Sequence, residues 1–327
     1  MKMCLIGCGA IVRSCHGPAY VLYRKESPDF ITAACCDTDK SRAGEIADLF
    51  SFSRSYDDFN VMLDYEKPDC VCVCVTEAHS YEVGMAVIER GIPLLIEKPP
   101  GKNAAETARL AEAAAKNGVQ NMVAFNRRFM PLMTRARQWI VSLNEEIEYI
   151  RYDFTRHGRD DADFSDTAVH AIDAVRYLTG SDYSEIRFTY QDYPGRRAAN
   201  VAMEAVMNCG AAAHIHVNPH AGATLERASI HTGSSTLLLN LPIWGVGYDM
   251  PGKLTLIKNV KVEQEITGND VRIGDELCVT NGFFEENKVF FDAVRTGDPI
   301  SSTLDSALQT MKVKEYYSER LNTYFSR

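Results

Sequence analysis

The chain has 327 residues, of which 46% are apolar and 24% charged, and its formal net charge is −9. The length exceeds what one hydrophobic core usually holds, so two domains are predicted. The negative charge and short basic clusters argue against nucleic acid as a partner. No stretch approaches the roughly 18 consecutive apolar residues of a membrane span, and the apolar N-terminus is too short for a secretory signal. We expect a cytoplasmic, globular protein.

The cysteine and histidine patterns argue against a metal site. Cys70, Cys72 and Cys74 alternate along an apolar run, whereas structural zinc sites use paired Cys-x-x-Cys spacing. His214 and His216 alternate in the same way and have no third ligand spaced nearby. We therefore predict no metal, with buried reduced thiols in a reducing compartment.

The first third of the chain alternates short apolar runs with helical segments, which is typical of βαβ crossovers and a parallel sheet. The predicted strands are Met3–Ile6, Ile31–Cys36, Cys70–Val75, Leu94–Ile96 and Met122–Phe125. Asn103 is a candidate helix N-cap, and Gly91 and Gly118 end helical segments. The prediction is an α/β fold with an N-terminal Rossmann domain, a doubly wound parallel sheet, over residues 1–122.

A different pattern follows residue 125. Helical segments at Leu132–Leu143 and Ser165–Leu178 flank an alternating stretch at Ile147–Phe154. Strands separated by turn residues come next, at Phe188–Gln191, Val201–Val206, Ala212–Val217, Leu225–His231 and Thr236–Leu241. Two helices, near Phe283–Arg295 and Leu304–Leu321, close the chain. We predict a second, α+β domain over residues 123–327, with a large, mainly antiparallel open-faced sheet. An apolar sheet face would favour a homodimer or homotetramer.

A glycine-rich turn directly follows the first predicted strand. Gly7 permits a tight turn, Gly9 lets the main chain approach a pyrophosphate, and Ala10 and Ile11 begin a helix whose N-terminal dipole favours phosphate. Val12 stands where a third small residue is usual. We predict that Gly7, Gly9, Ala10 and Ile11 bind a dinucleotide.

An acidic residue ends the second predicted strand. Asp37 is placed to accept hydrogen bonds from the adenosine ribose hydroxyls, and its charge would repel a 2′-phosphate. NAD is therefore predicted over NADP. Lys40 and Arg42 lie close enough in sequence to keep NADP open, and an ordinary loop or capping role for Asp37 and Asp39 is the alternative.

Four segments in order carry a family resemblance: Leu94–Pro99 with its Glu-Lys-Pro, Ala124–Pro131, the run Asp166-x-x-x-His170-x-x-Asp173, and Tyr177-Leu178-x-Gly180. Together with the glycine turn, this order resembles the Gfo/Idh/MocA family of glucose-fructose oxidoreductase and inositol dehydrogenase. The resemblance covers nearly the whole chain. It implies an NAD(P)-dependent dehydrogenase or reductase that acts on CH–OH groups of a sugar, inositol or related polyol.

The chemistry of three residues agrees with that implication. Oxidation of a secondary alcohol needs a base for the hydroxyl proton and a positive charge near the developing alkoxide. Lys98, beyond a parallel strand, can polarise the oxygen, and His170 titrates near neutrality and is the candidate acid/base. By the resemblance, Asp166 binds substrate hydroxyls and helps to hold Lys98 and His170. For Asp173 we favour a structural role.

The resemblance implies further contacts. Cofactor contacts are expected at Thr76, His79, Glu97, Lys98 and Arg127, and substrate contacts at Lys98, Arg156, His157, Asp166 and His170. Two alternatives stay open: Thr76 as a simple helix cap, and Arg127 in an interdomain salt bridge.

Three functions compete for this set of residues. The first is net hydride transfer between nicotinamide and a sugar, inositol or polyol. The second uses transient oxidation to cleave a glycosidic bond or epimerise a sugar. The third is a non-catalytic nucleotide sensor, which the proton-transfer residues Lys98, Asp166 and His170 argue against.

Overall fold

The computed structural model describes residues 1–245 and 248–326 and divides into two compact units. Unit 1 comprises Met1–Asn126 and Leu277–Leu308, and unit 2 comprises Arg127–Glu276 and Gln309–Arg327. This corrects the predicted single boundary between residues 122 and 123. Residues 123–126 belong to unit 1, and a late segment of the chain returns to it, because the aromatic side chains of that segment pack on the first helix.

Unit 1 contains a six-stranded parallel sheet in the order β3-β2-β1-β4-β5-β6. The strands are β1 Lys2–Ile6, β2 Ile31–Cys36, β3 Arg54–Tyr56, β4 Cys70–Val73, β5 Leu94–Glu97 and β6 Asn121–Ala124. The five predicted strands are confirmed, and the short polar edge strand β3 was missed. Buried on both faces, the inner strands read as continuous apolar runs. This order has a switch point between β1 and β4, the place where such sheets bind ligands.

The helices of this sheet begin and end at recognisable caps. They are α1 Gly17–Glu26, α2 Lys40–Phe50, α3 Phe59–Glu66, α4 Glu77–Glu89 and α5 Ala104–Asn117. Asn103 caps α5 as predicted, because its side chain accepts from the main-chain N–H of Glu106 at 2.9 Å. Gly118 ends α5 in the left-handed conformation with φ +63°.

Unit 2 is built on a nine-stranded, mainly antiparallel sheet in the order β14-β13-β12-β11-β7-β10-β9-β8-β15. Its strands are β7 Ile147–Thr155, β8 Tyr183–Gln191, β9 Asn200–Met207, β10 Ala212–Asn218, β11 Leu225–Thr232, β12 Ser235–Leu241, β13 Lys253–Lys258, β14 Lys261–Thr267 and β15 Thr323–Phe325. One pair, β7 with β10, is parallel. The predicted fold class is confirmed, and β13, β14 and β15 are additions to it.

One face of this sheet carries the hydrophobic core of unit 2. Buried residues alternate with more accessible ones along β9 and β11, as expected for a sheet with one covered face. The core face packs against α6 Pro131–Leu143 and α7 Ser165–Thr179, and α8 Gly268–Val271 follows β14. On the other face lie polar side chains, including His214.

The chain finishes with three helices, α9 Leu277–Thr280, α10 Phe283–Thr296 and α11 Leu304–Ser318. Phe291 on α10 is fully buried, and its ring centroid lies 4.7 Å from that of Phe30, 5.0 Å from Tyr23 and 5.9 Å from Tyr20. Ser302 makes two hydrogen bonds with the main chain of Val123 on β6. Its carbonyl oxygen accepts from the Val123 N–H, and its hydroxyl group donates to the Val123 carbonyl oxygen. The late segment therefore completes the core of unit 1.

Among the cysteines that the structure describes, Cys209 is exposed and the others are buried. Burial raises the pKa of the Cys72 thiol to about 12, so it stays protonated and packs as a small apolar group. In the part of the chain that the structure describes, no helix is long and apolar enough to cross a membrane.

We expect Phe291→Ala to destabilise the protein by about 3–5 kcal/mol, because it removes a buried ring from a closely packed aromatic cluster. Urea unfolding followed by circular dichroism measures the change. Val61→Ala on α3, where the side chain is 56% exposed, should shift stability by less than about 0.5 kcal/mol. Equal effects of the two variants would contradict the role given to α10.

Candidate active site

The glycine-rich turn lies at the switch point, where β1 and β4 are neighbours. Gly7 has φ +93°, and a Cβ at this position would overlap the carbonyl group of Cys74, so glycine is required here. At Gly9, no described atom beyond its chain neighbours lies within 4 Å of an added Cβ. The main chain at Gly9 is therefore open to a close-lying phosphate.

The helix after the turn starts at Ala10 and Ile11, and both residues are accessible to solvent. Its next residues, Val12–His16, form a π-helical segment before α1 begins. Val12, in the third position of the glycine motif, is completely buried. The fold thus accommodates a branched side chain where a small residue is usual.

Asp37 links the end of β2 to the glycine turn. Its Oδ2 accepts from the main-chain N–H of Cys8 at 2.9 Å, and its Oδ1 accepts from that of Asp39 at 3.0 Å. A carboxylate offers about four lone-pair sites, so both oxygens keep acceptor capacity for ribose hydroxyls. Asp39 is the N-cap of α2, accepting from Ser41 and Arg42. The capping alternative thus holds for Asp39.

The two cations that kept NADP open are both paired with acids. Arg42 Nη2 lies 3.2 Å from Asp39 Oδ2, and Arg42 Nη1 lies 3.6 Å from Asp37 Oδ2. Lys40 Nζ lies 2.8 Å from Asp57 Oδ2. The carboxylates therefore balance the positive charge that a 2′-phosphate would need, which favours NAD.

A cleft of about 580 Å³ opens at this edge of the sheet, a size typical of small-molecule sites. It brings together five predicted cofactor residues: Gly7, Gly9, Asp37, Thr76 and His79. Phe59 and Asp57 also line it and were not predicted. Thr76 occupies the N-cap position of α4, yet among the described contacts its side chain makes no capping hydrogen bond. The residues of unit 1 therefore fit a bound dinucleotide.

Lys98 directly follows β5 and is half-buried. The preceding residue, Glu97, is 8% exposed, and its Oε2 accepts from the main-chain N–H of Lys98 at 3.0 Å. Its Oε1 lies 2.9 Å from Nε2 of His16, a fully buried side chain in the π-helical segment. Glu97 was predicted as a cofactor contact, and the structure shows both of its oxygens bound within unit 1.

In unit 2, α7 presents Asp166 and His170 one helical turn apart. His170 is 7% exposed. Asp166 Oδ1 lies 2.7 Å from Nζ of Lys314 on α11, and that lysine is 3% exposed. Lys314 was not predicted. Its ion pair restricts the orientation of the Asp166 carboxylate, one helical turn from His170.

Asp173, one turn beyond His170, is 1% exposed. Its two oxygens accept from Arg128 Nε at 2.8 Å and Nη2 at 2.6 Å, a bidentate pair. Thr310 donates to the same carboxylate at 3.3 Å. These contacts support the structural role favoured for Asp173.

Arg127 and Arg156, both predicted to contact ligands, share one buried partner in unit 2. Glu226 is fully buried and accepts from Arg127 Nη2 at 2.8 Å, from Tyr152 Oη at 2.9 Å, and from Arg156. Burial alone would raise the pKa of Glu226, but the arginine charges lower it to about 2. For Arg127 the structure favours a salt bridge, the alternative left open, although it lies within unit 2 rather than between domains.

His157, which was also predicted to contact substrate, is exposed. Its main-chain N–H donates to Thr224 Oγ1 at 3.3 Å, and its Nδ1 lies 3.1 Å from the carbonyl oxygen of Ala221. Within residues 1–245 and 248–326, no group of three or more metal-ligating side chains is gathered.

The Glu226 carboxylate makes stability depend on pH. Because its pKa is lowered in the folded state, its stabilising contribution is full above the unfolded value near 4.5 and is lost as pH falls toward 2. Between pH 4.5 and pH 3 this one group should remove about 2 kcal/mol from the free energy of unfolding.

Urea unfolding at a series of pH values tests this. Glu226→Gln should be less stable at pH 7 and should lose less stability on acidification than the wild type. Glu204→Gln, at an exposed position of β9, is the matched control and should follow the wild-type curve. A Glu226→Gln curve parallel to the wild type would contradict the assignment.

Comparison with known proteins agrees with this geometry. Residues 1–125 match the family model GFO_IDH_MocA, described as an oxidoreductase family with an NAD-binding Rossmann fold. D-glucoside 3-dehydrogenase of Escherichia coli K12 is 28% identical over 129 residues, 39% of this chain and 36% of that protein. D-xylose 1-dehydrogenase (NADP(+)) 2 of Haloferax volcanii is 25% identical over 177 residues, 50% of this chain and 54% of that protein. The matched part of the chain thus spans about half or less of the length of these relatives.

The fold as a whole also has a solved counterpart. A levoglucosan dehydrogenase in complex with NADH superimposes with a TM-score of 0.85 at 18% identity, covering 100% of this chain and 99% of that one. Over residues 1–125 the family resemblance predicted from the motifs is confirmed, because this part of the chain matches the NAD-binding Rossmann fold of that oxidoreductase family.

Proposed function

We propose that this protein transfers a hydride between NAD and a secondary alcohol or ketone of a sugar, inositol or related polyol. The observation that carries the proposal is the switch-point cleft of unit 1, with an open glycine turn and a carboxylate at the end of β2. The curated relatives above are named as dehydrogenases of a glucoside and of xylose. The match of residues 1–125 to an oxidoreductase family agrees with this reaction class.

Several residues of unit 1 would hold the dinucleotide. Main-chain N–H groups at Gly9, Ala10 and Ile11 suit the pyrophosphate, and Asp37 suits the adenosine ribose. Thr76 and His79 line the same cleft. When bound, the nicotinamide ring accepts or returns the hydride.

Lys98 supplies positive charge at the C-terminal end of β5. Its main chain is bound by a buried carboxylate, and its side chain is half-buried. A partly desolvated ammonium group stabilises a developing alkoxide more strongly than one in bulk water. We assign Lys98 to the polarisation of the reacting oxygen.

His170 is assigned as acid/base because it is a buried imidazole one helical turn from Asp166, and imidazole is the side chain that most often serves as general acid and base. Asp166, held by Lys314, is assigned to substrate hydroxyls. The ion pair with Lys314 restrains the Asp166 carboxylate, which would help to orient a hydroxyl bound to it. Arg156 donates to Glu226, and we therefore propose that it stabilises the segment that carries its neighbour His157 and does not itself bind substrate.

Two substitutions test the catalytic assignment. Absorbance at 340 nm would be followed with NAD and NADP, in both directions, against a panel of polyols, aldoses, inositols and keto-sugars. Lys98→Ala and His170→Ala should each lower kcat by roughly 10²–10⁴-fold, because each removes charge or proton transfer from the transition state.

The matched controls are Lys102→Ala and His214→Ala, at exposed positions of the same units, which should stay within about twofold. Near-wild-type turnover in Lys98→Ala and His170→Ala would contradict the catalytic assignment of these two residues. Release of a sugar or its epimer without net NADH would instead favour transient oxidation, and NAD binding with no turnover would favour a sensor.

A third substitution tests the cofactor preference. Asp37→Asn removes the negative charge at the ribose and loosens the pairing of Arg42, so we expect the NAD/NADP affinity ratio to fall at least about tenfold. Titration of intrinsic fluorescence with each reduced cofactor measures it. Asp48→Asn, an equal change of charge at an exposed site of α2, should leave the ratio unchanged. An unaltered ratio in Asp37→Asn would remove this residue from cofactor selection.

A further inference from the structure

A buried histidine next to the glycine turn is absent from the proposed chemistry. His16 is fully buried, and its two ring nitrogens have different partners. Nε2 lies 2.9 Å from Glu97 Oε1, and Nδ1 lies 2.9 Å from Nδ2 of Asn287 on α10. The ring of Phe283 meets the imidazole edge-on, with centroids 5.2 Å apart. His16 is thus held on two sides by polar groups and packed by an aromatic ring.

The hydrogen bonds of Asn287 determine which imidazole nitrogen carries the proton. Asn287 Nδ2 lies 2.8 Å from the carbonyl oxygen of Phe283, which can only accept, so this atom is the amide nitrogen. The same nitrogen lies 2.9 Å from His16 Nδ1, and since an amide nitrogen only donates, Nδ1 must be the acceptor. The ring proton therefore resides on Nε2 and is donated to Glu97.

Through Glu97, the orientation of the His16 imidazole affects the main chain of Lys98. With Oε1 accepting from His16, its Oε2 accepts from the main-chain N–H of Lys98 at 3.0 Å. Both oxygens of this buried carboxylate therefore have a hydrogen-bond donor. One donor is the ring of His16, and the other is the main-chain N–H of Lys98, the segment that Glu97 would orient. A change in the imidazole would leave one oxygen without its donor and would loosen the other bond.

The local helix geometry places His16 at this point. His16 is the last residue of the π-helical segment Val12–His16. Such segments insert one residue into a helix and occur often at functional sites. Deletion of that residue would rotate the following side chains by about 100° about the helix axis. The π turn, and not α-helical periodicity, therefore sets the direction of this imidazole.

We propose that His16 is a positioning residue: as the neutral, Nε2-protonated imidazole selected by Asn287, it orients Glu97 and thereby the main chain at Lys98. The effect on turnover rests on the proposed function. The proton location and the link to the Lys98 main chain do not, and both are measurable in the protein without cofactor.

The first test uses NMR on the ligand-free protein with ¹⁵N-labelled histidine. The wild type should show His16 with a protonated Nε2 and an unprotonated Nδ1. Hydrogen exchange at the Lys98 amide should accelerate at least about tenfold in His16→Leu, since its acceptor is released. His16→Gln keeps an N–H donor directed at Glu97 and should restore slow exchange. His214→Leu is the control and should leave both signals unchanged.

The second test separates positioning from binding. In His16→Leu, kcat should fall at least about tenfold while the Kd for NADH stays within about twofold, and His16→Gln should recover most of the loss. If His16 acts through Glu97, the double variant His16→Leu/Glu97→Gln should be no worse than the poorer single variant.

A protonated Nδ1 in the wild type, unchanged Lys98 exchange in His16→Leu, or multiplicative effects in the double variant would each overturn the proposal. If His16→Leu does not fold, the comparison of His16→Gln with Asn287→Leu, by the same NMR and exchange measurements, decides it. Absence of turnover with every substrate would count against the proposed function alone, because the first test needs no substrate.

Discussion

The candidate chemistry of unit 1 depends on one desolvated carboxylate, Glu97 at the end of β5. A buried charge is tolerated only when its hydrogen-bonding capacity is filled, and here an imidazole and a main-chain amide fill it. The same two bonds tie the helix after the glycine turn to the residue assigned to polarise substrate. The glycine turn and the lysine proposed to polarise the substrate are consequently parts of one connected structure, both on the edge of the sheet where parallel strands end.

Unit 2 also contains a buried carboxylate, but there the positively charged partners outnumber it. Glu226 is one carboxylate between two arginines and a tyrosine, and all four side chains are buried. Removing that carboxylate would leave two like charges facing each other in a medium of low dielectric constant. The cluster therefore links β7 and β11 to the start of unit 2, and it engages both arginines with a buried carboxylate.

The sequence predicted best what depends on local pattern. Continuous apolar runs identified five strands of the first sheet, and turn residues separated five strands of the second. Short or strongly polar strands were missed: Arg54–Tyr56 has three residues, and Lys261–Thr267 is almost wholly exposed. The glycine turn and Asp37 were identifiable because their spacing from a strand end has a known physical reason.

Contacts between distant segments were beyond such reasoning. Glu97 and His16 are 81 residues apart, Arg127 and Glu226 are 99 apart, and neither pair has a spacing that signals contact. Lys314 looked like any helical lysine, because the amphipathic pattern of α11 is weak and its burial arises from packing on Asp166. A lone histidine near a helix start, such as His16, gives no sequence signal of its role, because its partner Asn287 lies near the other end of the chain.

The return of the chain to unit 1 has a consequence for biosynthesis. The first sheet is complete at residue 124, but the aromatic ring of Phe291 and the helix that carries it follow more than 160 residues later. At translation rates of about 5–20 residues per second, roughly 10–30 s pass before that helix is made. During this interval the rings of Tyr20, Tyr23 and Phe30 lack the partner that Phe291 provides in the folded protein, and unburied apolar surface of this kind favours aggregation.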